Sequence, residues 1–144
     1  MSNMQLFMKN RKVVRENVKF AATKSLLNDN DGKPLEWEIR PITIKEDEKI
    51  RSKYICEIPI SGKPNMYRNK LDADKYLSEL LTTSVVYPNL LDAELQDSYG
   101  VKTADDLLKE MIDSPGEYAE FTAFVQKLNG FDISLEEKTN EAKN

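Results

Sequence analysis

Val86–Asp132, VYPNLLDAELQDSYGVKTADDLLKEMIDSPGEYAEFTAFVQKLNGFD, decides the fold. It spells short capped helices in close succession. Asp92–Tyr99 reads as a short helix closed by Gly100, where a left-handed residue costs glycine little. Thr103 then caps a helix carrying Ala104, Leu107, Leu108, Met111 and Ile112 on one face. Ser114-Pro115-Gly116-Glu117 sets a capping serine, a proline at the first helical position and a glutamate at the third in register. The helix it opens presents Tyr118, Phe121, Val125 and Leu128, with Phe124 beside them, and Asn129-Gly130 stops it. Immediately upstream, Ala73, Tyr76, Leu77, Leu80, Leu81, Ser84 and Val85 recur at helical spacing behind the cap Asp72, and Pro88 breaks the run. That helix is expected at the centre of the core.

Towards the other end the period changes from helix to strand. Leu35, Trp37 and Ile39 alternate with Glu36, Glu38 and Arg40, and Asn28–Gly32 is a turn, so Val18–Arg40 reads as a β-hairpin. Pro41 ends the strand. Thr43 and Glu46 have the capping-box spacing, which starts a helix over Ile44–Tyr54 with Ile44, Ile50 and Tyr54 inward. Ile55, Ile58 and Ile60 read as a strand that Pro59 confines to an edge, followed by a turn or loop at Ser61–Asn65. Met4, Leu6, Phe7 and Met8 would give Met1–Asn10 the apolar face of a short docking helix ahead of the basic run Lys9–Lys12. The expected architecture is α+β and mainly helical, an N-terminal β-hairpin and short edge strand followed by a compact C-terminal bundle of four or five short helices. Residues 1–132 form one domain in this reading. Residues 133–144, whose EEKTNEAKN has no apolar side chain larger than alanine, form a flexible tail.

Composition excludes more than it proposes. The 144 residues have 40% hydrophobic and 32% charged side chains and a net charge of −4, so a polyanion meets a repulsive average field. Histidine is absent, which removes the commonest metal ligand and most catalytic triads. The lone Cys56, in the strand-like run Tyr54–Ile58, reads as a small core residue. No apolar run approaches the ~18 residues of a membrane span, and the opening residues lack the charge order of a signal peptide, so the chain is expected to act inside the cell that makes it.

Carboxylates are the one plentiful reactive type. Glu46-Asp47-Glu48 and Asp105-Asp106 are consecutive on helices and diverge by ~100° per residue, which does not converge on one ion. Glu36 and Glu38 share the wet face of the hairpin. Asn28–Gly32 superficially resembles a calcium loop, yet its twelfth position would be Ile39, which cannot ligate. The basic groups at Lys9, Arg11, Lys12 and Arg15, and at Lys63, Arg68 and Lys70 around Tyr67, are short for a nucleic-acid site. No catalytic, cofactor-binding or metal-binding residue is assigned. Phe121, Phe124, Leu128 and Phe131 make an aromatic-rich end that either packs inward or grips a partner helix; the two readings can divide it, with Phe121 and Val125 inward and Phe124 and Phe131 outward.

Three segments carry a family resemblance: EWEIRPIT at Glu36–Thr43, YPNLLDAELQDSYGV at Tyr87–Val101 and SPGEY at Ser114–Tyr118, supported by ENVKF at Glu16–Phe20. With them the chain resembles the XkdN-like phage tail assembly chaperones from about Leu6 to Asp132. The resemblance implies a protein that is no enzyme and needs no cofactor. It binds the tape-measure protein, keeps it soluble and helps recruit tail-tube protein during tail morphogenesis. Self-association stays open, and neither nucleic acid nor membrane is an implied partner. Such a chaperone works in the cytoplasm of the bacterial host and is missing from the mature virion; a tail or baseplate adaptor retained in the virion is the alternative.

Overall fold

A computed structural model of the chain describes residues 3–131, so the tail expected over 133–144 lies outside the described residues. Side-chain caps set the helix starts. Asp72, Asp92, Thr103 and Ser114 each accept the backbone N–H three residues on, at 3.3, 2.9, 3.1 and 3.2 Å. They open α2 (Ala73–Ser84), α3 (Ala93–Ser98), α4 (Ala104–Met111) and α5 (Pro115–Leu128). Ahead of them α1 (Ile44–Lys53) begins with the full reciprocal box between Thr43 and Glu46. Each start falls where the cap residues place it.

The hairpin forms, with a ladder only three residues long. β1 (Val18–Phe20) pairs antiparallel with β2 (Trp37–Ile39), Val18 opposite Ile39. Between them the chain loops through an Asn28–Lys33 turn, where Gly32 has φ +69° and the Asn28 and Asp31 side chains accept from Asn30 and Lys33 N–H. A third strand, β5 (Val85–Tyr87), covers the other edge of β2. This corrects the expectation that the central helix runs through Val85. Pro88 pushes Tyr87 towards extended backbone, two valines suit a strand, and β2 offers an unpaired edge whose polar groups β5 satisfies.

The lone edge strand is also corrected. β3 (Ile55–Pro59) pairs along its whole length with β4 (Tyr67–Leu71), forming a separate two-stranded sheet closed by the Ser61–Asn65 turn. YRNKL has no apolar alternation, so nothing in its residue pattern marks it as a strand. Cys56 lies on this hairpin and is exposed, rather than a core residue, because no other layer covers the hairpin there. Residues Asn3–Phe7 and Lys9–Arg11 are short 3-10 turns in place of one docking helix.

The core is shared between the sheet and the helices. Trp37 and Ile39 of the middle strand are buried with Tyr76, Leu80 and Leu81 of α2, Leu107, Leu108 and Met111 of α4, and Phe121 and Val125 of α5. Four of the helices follow one another in the second half, with α2 packed against α4 and α5, and the sheet shares their core. Neither a three-stranded sheet nor short helices can bury an apolar face alone. A tertiary tie also departs from the local expectation: the Glu117 carboxylate reaches the β1–β2 loop, accepting from Thr23 Oγ1 at 3.0 Å and Lys24 N–H at 2.9 Å.

Candidate protein-binding surfaces

The four residues weighed as a partner-gripping end do not form one patch. Phe121 is 0% exposed, edge-on to Trp37 with ring centroids 6.1 Å apart, and no partner can reach it in the folded chain. Its helical position, four residues before the equally buried Val125, puts it on the inward stripe. Phe124 is half-buried and stacks on Phe20 at 4.2 Å. Leu128 packs part-buried against the core, and Phe131, 39% exposed, is the one of the four at the surface.

Phe131 has a neighbour that sequence reasoning sent inward. Ile44 is 79% exposed, and it lines with Phe131 and Ile42 a depression of about 170 Å³. Position 44 is the first residue of α1, where the side chain can point away from the body whatever its polarity, so helical periodicity misjudged it. Both rims of the depression are held firmly. At the end of α5, Gly130 N–H bonds Lys127 O and Phe131 N–H bonds Gln126 O, both at 3.0 Å, the paired bonds of a Schellman motif. Asn129 ties that end to the strand exit, accepting Ile42 N–H at 2.8 Å and donating to Val125 O at 2.9 Å. On the other rim, Arg40 grips Glu46 through two bonds of 3.1 and 2.7 Å, fixing the start of α1. Those bonds, then the Thr43 N–H, hold the Glu46 carboxyl down to about 2.

Gly130 gives a direct check on this geometry. Its φ of +86° is left-handed, and an added Cβ would meet nothing within 4 Å, so Gly130→Ala tests backbone conformation alone. The expected cost is ~1–2 kcal/mol by denaturant titration. A neutral result would show that the α5 terminus relaxes without the motif.

A second surface lies at the other end of the sheet. Leu26, Leu35, Trp37, Tyr87, Leu95 and Met111 line a groove of about 220 Å³. It is the more apolar of the two, and Tyr87 stands 67% exposed on its rim. Residues Asn3–Asn17 are exposed throughout and carry Leu6, Phe7, Met8, Val13 and Val14. Sequence reasoning found these apolar residues but not the groove, whose walls come from β2, β5, α3, α4 and a loop.

Two of the carboxylates singled out earlier tie helices together or brace one. Asp47 accepts from Arg51 Nε at 2.8 Å and from the Tyr76 hydroxyl, and Asp105 pairs with Lys109 at 3.0 Å. Among the described residues no group of three or more histidine, cysteine, aspartate or glutamate side chains is arranged to hold a metal ion, and no helix is long and apolar enough to cross a membrane. What these surfaces offer is apolar contact.

Comparison with known proteins bears on this arrangement. The chain matches the phage XkdN-like tail assembly chaperone protein family over residues 4–143. It is 25% identical over 144 residues to the phage-like element PBSX protein XkdN of Bacillus subtilis (strain 168), covering 99% of this chain and 94% of that protein. YqbN of the same strain is 23% identical over 142 residues, covering 99% and 93%. The crystal structure of YqbN superposes with a TM-score of 0.73 at 20% identity over 92% of this chain and 99% of that one, a likeness of fold.

Proposed function

The chain belongs to the phage XkdN-like tail assembly chaperone family, and from that membership we propose that it binds a tape-measure protein, keeps it soluble and helps recruit tail-tube subunits. The observation that supports a client site is the pairing of Ile44 and Phe131, exposed side by side on rims that caps and hydrogen bonds hold rigid. Partly buried Phe124 and Leu128 back the same helix end. A long helical client presents apolar stripes, and a knob from such a stripe fits a shallow depression of this size. Burying two such side chains supplies on the order of 1.5–3 kcal/mol each, much of it offset by the cost of association. One copy therefore holds weakly and is displaced readily by an incoming tube subunit. Many copies along one client hold by avidity, and a net charge of −4 per copy keeps the coated client dispersed. The work is done in the host cytoplasm and the chaperone leaves before the virion is complete.

Co-expression with the tape-measure protein, followed by a solubility assay and pull-down, tests the reading. Ile44→Asp with Phe131→Asp is expected to lower client capture about a hundred-fold, from two contacts of ~1.5 kcal/mol each, with an unchanged far-ultraviolet circular dichroism spectrum. A client equally insoluble with and without the chain sinks the proposal. So does finding this chain at fixed copy number in purified particles, the signature of a virion adaptor.

A further inference from the structure

We propose that this chain's own segment Asp132–Glu137 seats on the Ile44–Phe131 depression and competes there with the client. Competition rests on the client reading given above; the seating does not. Phe131, the last described residue, lines the depression together with Arg15, Ile42, Ile44 and Asp47. The paired bonds at Gly130 and Phe131, and the Asn129 tie to Ile42, fix the point from which the chain continues. Whatever follows Phe131 therefore starts on the rim. At ~3.5 Å per extended residue, Ile133 comes within ~7 Å of Phe131 and Leu135 within ~14 Å, so both side chains have the reach.

The two surfaces are complementary. DISLEE, Asp132–Glu137, sets Ile133 and Leu135 among three carboxylates, with no base. The depression is apolar at Ile42, Ile44 and Phe131 and is lined by two charged side chains, Arg15 and Asp47. Asp47 is already engaged by Arg51 and the Tyr76 hydroxyl. Among the described residues no carboxylate pairs with Arg15, whose Nη2 donates to the Ile42 carbonyl, so the uncompensated charge is positive. In the flanking sequence Lys12, Lys45 and Lys127 outnumber Glu16 and Glu48. An aliphatic knob bounded by carboxylates thus meets an apolar hollow that holds a guanidinium. The family match runs through these residues to 143, which puts the segment inside the shared region.

Attachment favours this occupant over a free one. A tethered segment meets its site at an effective concentration on the order of mM, so a contact too weak to hold a loose peptide is made most of the time. Every copy on a client must give that contact up. Single-copy capture of a stray helix is weakened accordingly, and capture falls to long clients that engage many copies at once.

Thiol alkylation of the full chain tests the seating without any client. Ile44→Cys combined with Cys56→Ser puts the single thiol of the chain at the depression. Adding Ile133→Asp and Leu135→Asp is expected to raise its alkylation rate about ten-fold. The new carboxylates by themselves raise the thiol's pKa and slow the reaction, so a faster rate reports lost cover. As a second measurement on the chain with Ile44 in place, the same two substitutions are expected to shift the amide resonances of Arg15 and Ile44, both far from them in sequence. An unchanged rate or unmoved resonances overturn the seating. So does protection that deepens with protein concentration, which assigns the segment to another copy. Client capture is expected to rise about ten-fold in Ile133→Asp with Leu135→Asp. Capture that stays level while the alkylation rate rises overturns the competition, whereas capture indifferent to Ile44→Asp with Phe131→Asp overturns the client reading instead.

Discussion

Phe121→Ala is expected to remove ~3–5 kcal/mol of unfolding free energy, a large part of the ~5–15 kcal/mol a domain of this kind has. The ring is fully buried where β2, α2, α4 and α5 meet. Its loss leaves Trp37 without its edge-on neighbour at 6.1 Å and Phe20 without the ring at the same distance. A cavity there is bounded by two strands and several helices, none able to move in alone, so little relaxation is expected. Phe124→Ala is the matched control: it ends the close stack on Phe20 but opens a half-buried site that water can enter, for ~1–2 kcal/mol. Denaturant titration followed by the fluorescence of the single tryptophan reads both. A Phe121→Ala cost no greater than that of Phe124→Ala would show that the centre of the core is misplaced.

The pH profile is expected to have two assignable limbs. Burial, and then the Asp47 carboxylate it bonds, push the Tyr76 hydroxyl up to about 12. In the unfolded chain it titrates near ~10, so the stability it supplies is whole below about pH 10 and is lost as pH climbs through about 12. Glu46 works in the opposite sense. Its carboxyl is held at about 2 against an ordinary 4.5, so its contribution is whole above about pH 4.5 and fades as pH falls through about 2. Tyr76→Phe keeps the ring under the Arg51 guanidinium, 4.4 Å away, but strips Asp47 of a donor; it is expected to cost ~1.5–3 kcal/mol at neutral pH and to flatten the alkaline limb. Glu46→Gln is expected to flatten the acid limb by ~1 kcal/mol, since solvent reaches about a third of that side chain and screens the pair. A wild-type alkaline limb surviving in Tyr76→Phe would move its origin elsewhere.

The site was less legible than the fold. Phe131 was read as outward and lies at the surface, but Phe124, read as outward beside it, stacks half-buried on Phe20, and Ile44 and the walls of the Tyr87 groove were not seen as surface at all. A helical stripe tells which residues share a face. It does not tell which layer will cover that face, because the cover comes from residues distant in sequence, as Phe20 does for Phe124 across more than a hundred positions.

Sequence alone determined the helix starts, because a cap is a contract between residues three apart: Thr43 with Glu46, Asp72 with Lys75, Ser114 with Glu117. It also determined the Asn28–Gly32 turn, and the XkdN-like family through its local segments. Tertiary structure alone decided that Val85–Tyr87 is a strand, that Tyr67–Leu71 pairs with Ile55–Pro59, and that Glu117 bonds the β1–β2 loop. Each of those depends on a partner whose distance along the chain no local pattern encodes. Strand pairing and burial are satisfied between segments, while caps and turns are satisfied within them.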